Sequence, residues 1–322
     1  MRHFVEIQDH TKEELIKVLQ VAKYIKNHPL EFTNALHGKI LASLFYEPST
    51  RTQLSFQAAV LRLGGQFIGF SGTGGTSVKK GESLTDTIHM ASAYADAIVL
   101  RHPFRGSARL ASEIASEDVP VISAGAGSQS HPTQALLDLM TIWETQNRVT
   151  ELEIGFTGDL RYSRTVPSLL TILGMMGPNN ISLYSHELLK LPSSVKEDLK
   201  MFPNLHLTDY QNMEENLSQI DVLYFTRIQR ERFPDDDLYK QVHGAFTFKD
   251  DLLKQVKDNF ALLHPLPRVD EIPYSIDNSK YAKYFQQAKN GVFVRMALLL
   301  MLLAPERLED YNFPPNLDFG SI

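Results

Sequence analysis

The chain has no cysteine in its 322 residues. This excludes disulfides, thiolate nucleophiles and cysteine-ligated metals. It also lacks an excess of basic charge. The formal net charge of -6 argues against a general nucleic-acid or membrane binder. No apolar run approaches the roughly 20 residues that a membrane-spanning helix needs. The longest, from Met296 to Ala304, reads as a buried or interdomain helix. Met1 to Glu6 lacks the charged-then-apolar pattern of a signal peptide, so the expected setting is cytoplasmic. No His-Glu-x-x-His or comparable set exists, so no catalytic metal and no cofactor are expected. Lys79-Lys80 is not in a P-loop: no glycine immediately precedes the lysines and no Ser or Thr follows. Gly125 to Ser130 carries two glycines of a dinucleotide fingerprint but lacks the third, which counts against a nicotinamide-dependent dehydrogenase. That segment reads as a tight turn aiming His131.

What is present is an alternation of strands and helices long enough for two cores. Thr11 to Glu14 is a capping box, followed by Leu15, Val18, Leu19, Ala22 and Ile25 at helical spacing. Strands are expected at Ile40–Phe45, Gln66–Phe70, Ala97–Arg101 and Val119–Ser123. Helices are expected at Leu54–Leu63, Leu84–Tyr94 and Ala108–Ala115, and from His131 to about Gln146. After a polar stretch, Thr145 to Glu151, the pattern restarts. Further strands are expected at Glu153–Gly158, Ile181–Tyr184, His206–Thr208, Val222–Thr226 and Ala261–His264. Such alternation implies parallel sheets with helices on both faces. The fold class is therefore α/β, with two doubly wound parallel-sheet domains. Ligands of open parallel sheets bind beyond the carboxyl ends of strands. The motif residues follow strands, so the active site is expected in the interdomain cleft. The tail from Pro305 to Ile322 has no helical period and reads as an extended or frayed arm.

The most informative segment is Glu47-Pro48-Ser49-Thr50-Arg51-Thr52-Gln53-Leu54, at a strand-to-helix turn. There the first helical N–H groups lack backbone partners. Hydroxyls, amides, the helix dipole and a guanidinium fork converge as a phosphate dianion requires. Simple capping would explain one hydroxyl, but not three flanking an arginine. Surface lysines and arginines are commonly solvated. Lys79, Lys80, Arg51, Arg101, Arg164 and Arg227 stand out as a set because each lies inside a motif.

Four more segments accompany that turn. They are Arg101-His102-Pro103, His131-Pro132-Thr133-Gln134 running to Asp138, Thr226-Arg227-Ile228-Gln229 running to Phe233, and His264-Pro265-Leu266-Pro267 running to Glu271. In this order, from about Met1 to Ala304, they resemble the signature set of the aspartate carbamoyltransferase family, catalytic chain. The resemblance implies transfer of the carbamoyl group of carbamoyl phosphate to L-aspartate, giving N-carbamoyl-L-aspartate and phosphate for pyrimidine synthesis. It implies a carbamoyl phosphate-binding domain over residues 1–134 with a helix of about 291–304 returning to it, an aspartate-binding domain over 135–290, and a tail over 305–322.

The resemblance also assigns roles. Ser49, Thr50, Arg51, Thr52, Arg101, His131 and Gln134 would hold carbamoyl phosphate, with the carbonyls of Pro265 and Leu266 facing the carbamoyl amide and the attacking amine. His131 and Gln134 are one helical turn apart and share a face; capping or packing is their bland alternative. Arg51, Thr52, Arg101, His131 and Lys80 would be catalytic. Arg164, Arg227, Gln229 and Lys80 would bind aspartate, arginine forks suiting planar carboxylates. Arg161 competes with Arg164 but reads as a solvated loop charge. The peptide before Pro267 would be cis. Ser77 and Lys80 would reach the active site of a neighbouring subunit in a homotrimer; a flexible solvated loop is what the residues alone suggest. The Ser71–Ser83 loop is one residue shorter than in the best-known members, and Lys80 is the match on Lys-Gly-Glu. Gln53 and Gln57 replace charged residues common there in the family. A regulatory chain or a dihydroorotase partner is left open. Rival readings are a transferase for another amine such as ornithine, whose relatives carry His-Cys-Leu-Pro, and a non-catalytic ligand-binding relative. Arg164, Arg227, Gln229 and the cysteine-free loop oppose the first, and the complete polar set opposes the second.

Overall fold

The structure, a computed structural model, describes residues 1–127, 130–230, 236–242, 244 and 246–309. Its described residues divide into two compact units, Met1–Leu136 with Asn290–Glu309, and Leu137–Lys289. Each is built on its own parallel sheet.

In the first unit, helix α1 (Lys12–Asn27) starts at the expected capping box: Thr11 Oγ accepts the Glu14 N–H at 3.2 Å, and Glu14 returns a carboxylate to the Thr11 N–H at 3.1 Å. Then follow β1 (Ile40–Phe45), α2 (Thr50–Arg62), β2 (Gln66–Ser71), α3 (Leu84–Tyr94), β3 (Ala97–His102), α4 (Ser107–Ile114) and β4 (Val121–Ala126). The sheet order is β2-β1-β3-β4. β1, β3 and β4 are buried along nearly their whole length, as strands covered on both faces must be, whereas the edge strand β2 is largely exposed. The opposite edge is covered by the N-terminus: Phe4 donates to Val121 O and accepts from the Ser123 N–H, both at 2.8 Å. Ala42, Leu44, Ile88, Ile98, Leu100, Ala111 and Val121 form a core on one face of this sheet.

The second unit contains β5 (Glu153–Gly158), α6 (Thr165–Met176), β6 (Asn179–Tyr184), α7 (Ser193–Leu199), β7 (Leu205–Tyr210), β8 (Val222–Thr226), α8 (Asp236–Val242) and β9 (Ala261–Leu263). Its sheet order is β7-β6-β5-β8-β9, all parallel. Tyr184, Leu217, Leu223, Phe225, Phe248, Phe260, Leu262 and Tyr284 pack its core.

Two helices contribute residues to both units: α5 (Pro132–Gln146) and α9 (Tyr284–Leu303). From His131 to Trp143 every residue is buried, and so is Val294 to Leu300. Helices apolar around most of their circumference are buried, as these stretches are. Among the described residues no helix is long and apolar enough to cross a membrane. The C-terminal part of α9 returns to the first unit, where Lys26 of α1 donates to Asn290 at 2.8 Å and Arg295 donates to Ser55 of α2 at 2.8 Å.

Some expected boundaries shift. β4 starts at Val121 rather than Val119, and β7 extends over Leu205–Tyr210. α9 begins at Tyr284, seven residues before the expected Gly291. Asn290-Gly291 resembles a helix boundary, but both lie inside the helix. Ser77–Lys80 forms a short 3-10 turn, as does Pro305–Leu308 in the expected extended tail. Ser128 and Gln129 of the expected tight turn, residues 231–233 of the Thr226 motif and residues 310–322 lie outside the described residues.

Candidate functional site

The chain runs from β1 to β2 on one side of the first sheet and then crosses to β3 on the other. The order therefore reverses between β1 and β3, the point at which open α/β sheets bind ligands. The motif residues flank this point. Phe45, the last residue of β1, is in register with Arg101 of β3. The Tyr46 N–H then donates to Arg101 O at 2.9 Å, fixing the turn that leads to Ser49. Ser49 occupies the N-cap position of α2, and its hydroxyl makes no capping bond. The capping explanation thus leaves this hydroxyl unused. Arg51 is exposed and Thr52 is buried on the same first turn.

Arg101 is mostly buried and held from two directions. One nitrogen donates to Ala124 O at 3.1 Å, and another lies 3.4 Å from Glu47 Oε2. The neighbouring His102 fixes the next loop: its Nδ1 accepts the Phe104 N–H at 3.1 Å and lies 2.8 Å from Ser107 Oγ. Burial holds its pKa below the ordinary histidine value, against an opposing pull from Glu47. The next strand, β4, pairs with β3 and leads to α5. His131 caps that helix through its carbonyl, which accepts from the Gln134 and Ala135 N–H groups at 3.0 and 3.2 Å. The His131 and Gln134 side chains are buried. Ser77 and Lys80 are exposed, and neither side chain enters a hydrogen bond or ion pair among the described residues.

The second sheet reverses between β5 and β8, and there too the expected residues gather. Gly158 pairs with Thr226. Its φ is +94°, and a Cβ there would lie 1.9 Å from Thr226 O, so only glycine lets the strand ends approach this closely. Thr226 Oγ1 donates to Thr157 O and Asp159 O at 3.0 and 3.1 Å. Asp159, fully buried, accepts the Tyr162 N–H at 2.8 Å and the Gln229 N–H at 3.3 Å. Gln229 Nε2 closes the link by donating to Tyr162 O at 3.1 Å. The loop before Arg164 and the loop carrying Arg227 and Gln229 are thereby one hydrogen-bonded unit. Arg164 is buried at the N-cap of α6, whereas Arg161 is exposed, with a guanidinium 5.5 Å from the Tyr162 ring centroid.

Beyond β9, the loop from His264 is organised by its own side chains. His264 Nδ1 faces the Leu266 N–H at 2.8 Å and must be the unprotonated nitrogen. Nε2 therefore carries the proton and donates to Glu271 at 2.7 Å. The other Glu271 oxygen accepts from the Val269 and Asp270 N–H groups at 3.1 and 3.2 Å. The Leu266–Pro267 peptide is cis, and Leu266 has a φ of +56°. Pro265 and Leu266 are partly exposed. Arg268 in the same motif serves the architecture: it grips both oxygens of Asp277 and lies 4.5 Å from the centroid of the Tyr274 ring.

Sequence reasoning missed Glu47, Asp159 and the His264–Glu271 pair as organisers of the site. The only signal for Asp159 was its position after a strand-terminal glycine. His264 and Glu271 stood in the motif with no assigned task.

The chain thus has the anatomy of an α/β protein of two parallel-sheet units, with a cluster of motif residues at the strand ends of each sheet. Residues 2–144 match the model of the aspartate/ornithine carbamoyltransferase carbamoyl-P binding domain, and residues 150–302 match that of the family's Asp/Orn binding domain. The chain belongs to the aspartate/ornithine carbamoyltransferase family. It is 47% identical over 304 residues to the aspartate carbamoyltransferase catalytic subunit of Pyrobaculum islandicum, covering 94% of this chain and 99% of that one. The catalytic subunit of Clostridium acetobutylicum is 44% identical over 302 residues, covering 94% and 98%. Among solved structures, the catalytic subunit of M. jannaschii aspartate transcarbamoylase superposes with a TM-score of 0.86 at 45% identity, covering 96% of this chain and 99% of that one. Aspartate transcarbamoylase from Trypanosoma cruzi, in complex with carbamoyl phosphate and aspartate, gives 0.88 at 33% identity, covering 94% and 97%.

Proposed function

We propose that the chain is an aspartate carbamoyltransferase, transferring the carbamoyl group of carbamoyl phosphate to L-aspartate in pyrimidine synthesis. The observation that carries this reading is the placement of the motif residues at the strand-order reversal of both sheets. The first unit takes the phosphate at Ser49–Thr52, with Arg51 and Arg101 as its cations. Thr52, Arg101 and His131 stabilise the oxyanion that develops on the carbamoyl carbonyl. Gln134 binds the carbamoyl amide, together with the carbonyls of Pro265 and Leu266. The second unit holds the two aspartate carboxylates through Arg164, Arg227 and Gln229.

In the reaction the aspartate nitrogen forms a bond to the carbamoyl carbon, and the bond from that carbon to the bridging phosphate oxygen breaks. The departing phosphate takes the amine proton. Much of the rate comes from holding two anions together against their repulsion. Aspartate is favoured over ornithine by the interlocked loops that present Arg164, Arg227 and Gln229. Similarity to subunits named for aspartate supports the same choice.

Assembly belongs to this reading. Ser77 and Lys80 are exposed, and among the described residues their side chains make no hydrogen bond or ion pair, as suits residues serving a neighbouring subunit. The edge strand β2 exposes Phe67 and Ile68, and α2 exposes Leu54 and Leu61. Exposed apolar side chains of this size fit a subunit interface. The assembly is a homotrimer with shared active sites in a cytoplasmic setting. The assay that tests the function compares carbamoylation of aspartate and of ornithine by the purified chain. Turnover with aspartate alone is expected, and preference for ornithine overturns the assignment.

A further inference from the structure

The His264–Leu266 loop is anchored at its base by a buried relay whose central member, Gln287, lies in no motif. Asp138, on α5 and fully buried, accepts from Tyr224 OH at 2.8 Å and from Gln287 Nε2 at 2.6 Å. The carbonyl oxygen of the same Gln287 amide accepts the His264 N–H at 2.8 Å. His264 in turn fixes the Leu266 N–H through Nδ1 and Glu271 through Nε2. Gln287 is buried on the first turns of α9. Its two ends meet opposite demands. The carboxylate requires a donor, and the backbone N–H requires an acceptor. A primary amide offers both at once. The orientation of the amide is therefore dictated chemically.

We propose that Gln287 is a positioning residue for carbamoyl transfer, its amide holding the His264–Leu266 backbone at a fixed place relative to Asp138. The proposal rests on the reading that the carbonyls of Pro265 and Leu266 face the reacting groups. Gln287 touches no substrate; it acts through His264. Misplacing reacting groups by about 1 Å can lower turnover roughly 100-fold, so a small release of this anchor has a measurable effect.

The test uses the full chain and the aspartate assay with both substrates saturating. Gln287→Met keeps the side-chain length but neither donates nor accepts. Its kcat should fall about 10- to 100-fold, the range of a misplacement of about 1 Å or less. Binding of inorganic phosphate, assigned to the other unit, should stay as in the wild type. Gln287→Glu adds a specific signature. As a carboxylate it repels Asp138; once protonated, it again donates to Asp138 and accepts from His264 N–H. The ionisable groups around it are Asp138 and Tyr224 on one side and His264 and Glu271 on the other, with Glu144 bonded to the adjacent Gln286. All are shared with the wild type, so the ratio of variant to wild-type kcat isolates residue 287. That ratio should rise as pH falls for Gln287→Glu and stay flat for Gln287→Met.

A Pro265→Gly/Leu266→Gly chain, which frees the loop itself, separates the two ways to fail. If it loses turnover while Gln287→Met keeps wild-type kcat, the anchor is refuted and the loop's role stands. If both keep wild-type kcat, the loop reading fails and the anchor with it. Should Gln287→Met not fold, a flat pH ratio for Gln287→Glu overturns the proposal, and a ratio rising toward acid pH supports it.

Discussion

Asp159 Oδ2 accepts the backbone N–H of Gln229 across 70 residues of chain, at 3.3 Å. Its other oxygen accepts the Tyr162 N–H at 2.8 Å. One buried carboxylate thus sets the spacing of the two loops that carry Arg164 and Arg227. Asp159→Ala leaves two partly buried N–H groups without this acceptor, each costing up to about 1–3 kcal/mol. The expected result is a KM for aspartate raised at least about 10-fold, the equivalent of 1.4 kcal/mol. Phosphate binding should be unchanged in a titration with inorganic phosphate. Equal weakening of both ligands would show that Asp159 supports the whole fold instead.

Arg51→Ala or Arg101→Ala should cripple turnover while far-UV circular dichroism and thermal melting stay close to the wild type. Both side chains serve a polar strand end rather than a core. Losing a charge-assisted hydrogen bond typically costs about 1.5–3 kcal/mol. Wild-type kcat/KM in either variant would remove the phosphate assignment.

Arg227→Ala should damage aspartate use while carbamoyl phosphate still binds. Arg227 follows β8 in the second unit, away from the phosphate turn in sequence and sheet. Calorimetric titration with each ligand separates the cases. Loss of both affinities together would mark Arg227 as architectural.

If Lys80 acts in a neighbouring subunit, sites can be rebuilt from two defective chains. Lys80→Ala and His131→Ala chains should each be nearly inactive alone. After mixing and verified subunit exchange, activity should return, because some sites receive an intact Lys80 and an intact His131 from different chains. A head-to-tail ring makes this possible, since one surface of a chain meets a different surface of the next. Continued inactivity after exchange would return Lys80 to a solvated loop charge or to a role within its own chain.

Glu271 should make the fold sensitive to acid. Burial pushes its carboxyl up, but the His264 hydrogen bond and the backbone N–H groups outweigh burial and hold it below the ordinary glutamate value. The folded state therefore favours the charged form. The resulting stability is fully present above the unfolded value, about 4.3. It is lost as pH falls through the lower folded value. Melting temperatures measured from neutral pH to about pH 3.5 should place Glu271→Gln below the wild type at neutrality, with the gap closing below about pH 4.3. A constant gap across that range would mean that the Glu271 charge contributes nothing.

Much of the architecture was written in local pattern. Apolar runs such as Ile40–Phe45 and Val222–Thr226 mark strands covered on both faces, and Thr11–Glu14 marks a helix start, because burial and capping act over a few residues. The strand-to-helix turn at Ser49–Thr52 was legible for the same reason: its residues are contiguous. Tertiary structure decided what depends on partners distant in sequence. α9 begins before Asn290-Gly291 because Gln286 and Gln287 on its first turns bind Glu144, Asp138 and His264. Asp159, His264 and Glu271 became organisers of the site only when folding set their carboxylates and imidazole against particular backbone N–H groups. A buried polar atom is costly unless it is paired, and the chain alone does not say which partner will arrive.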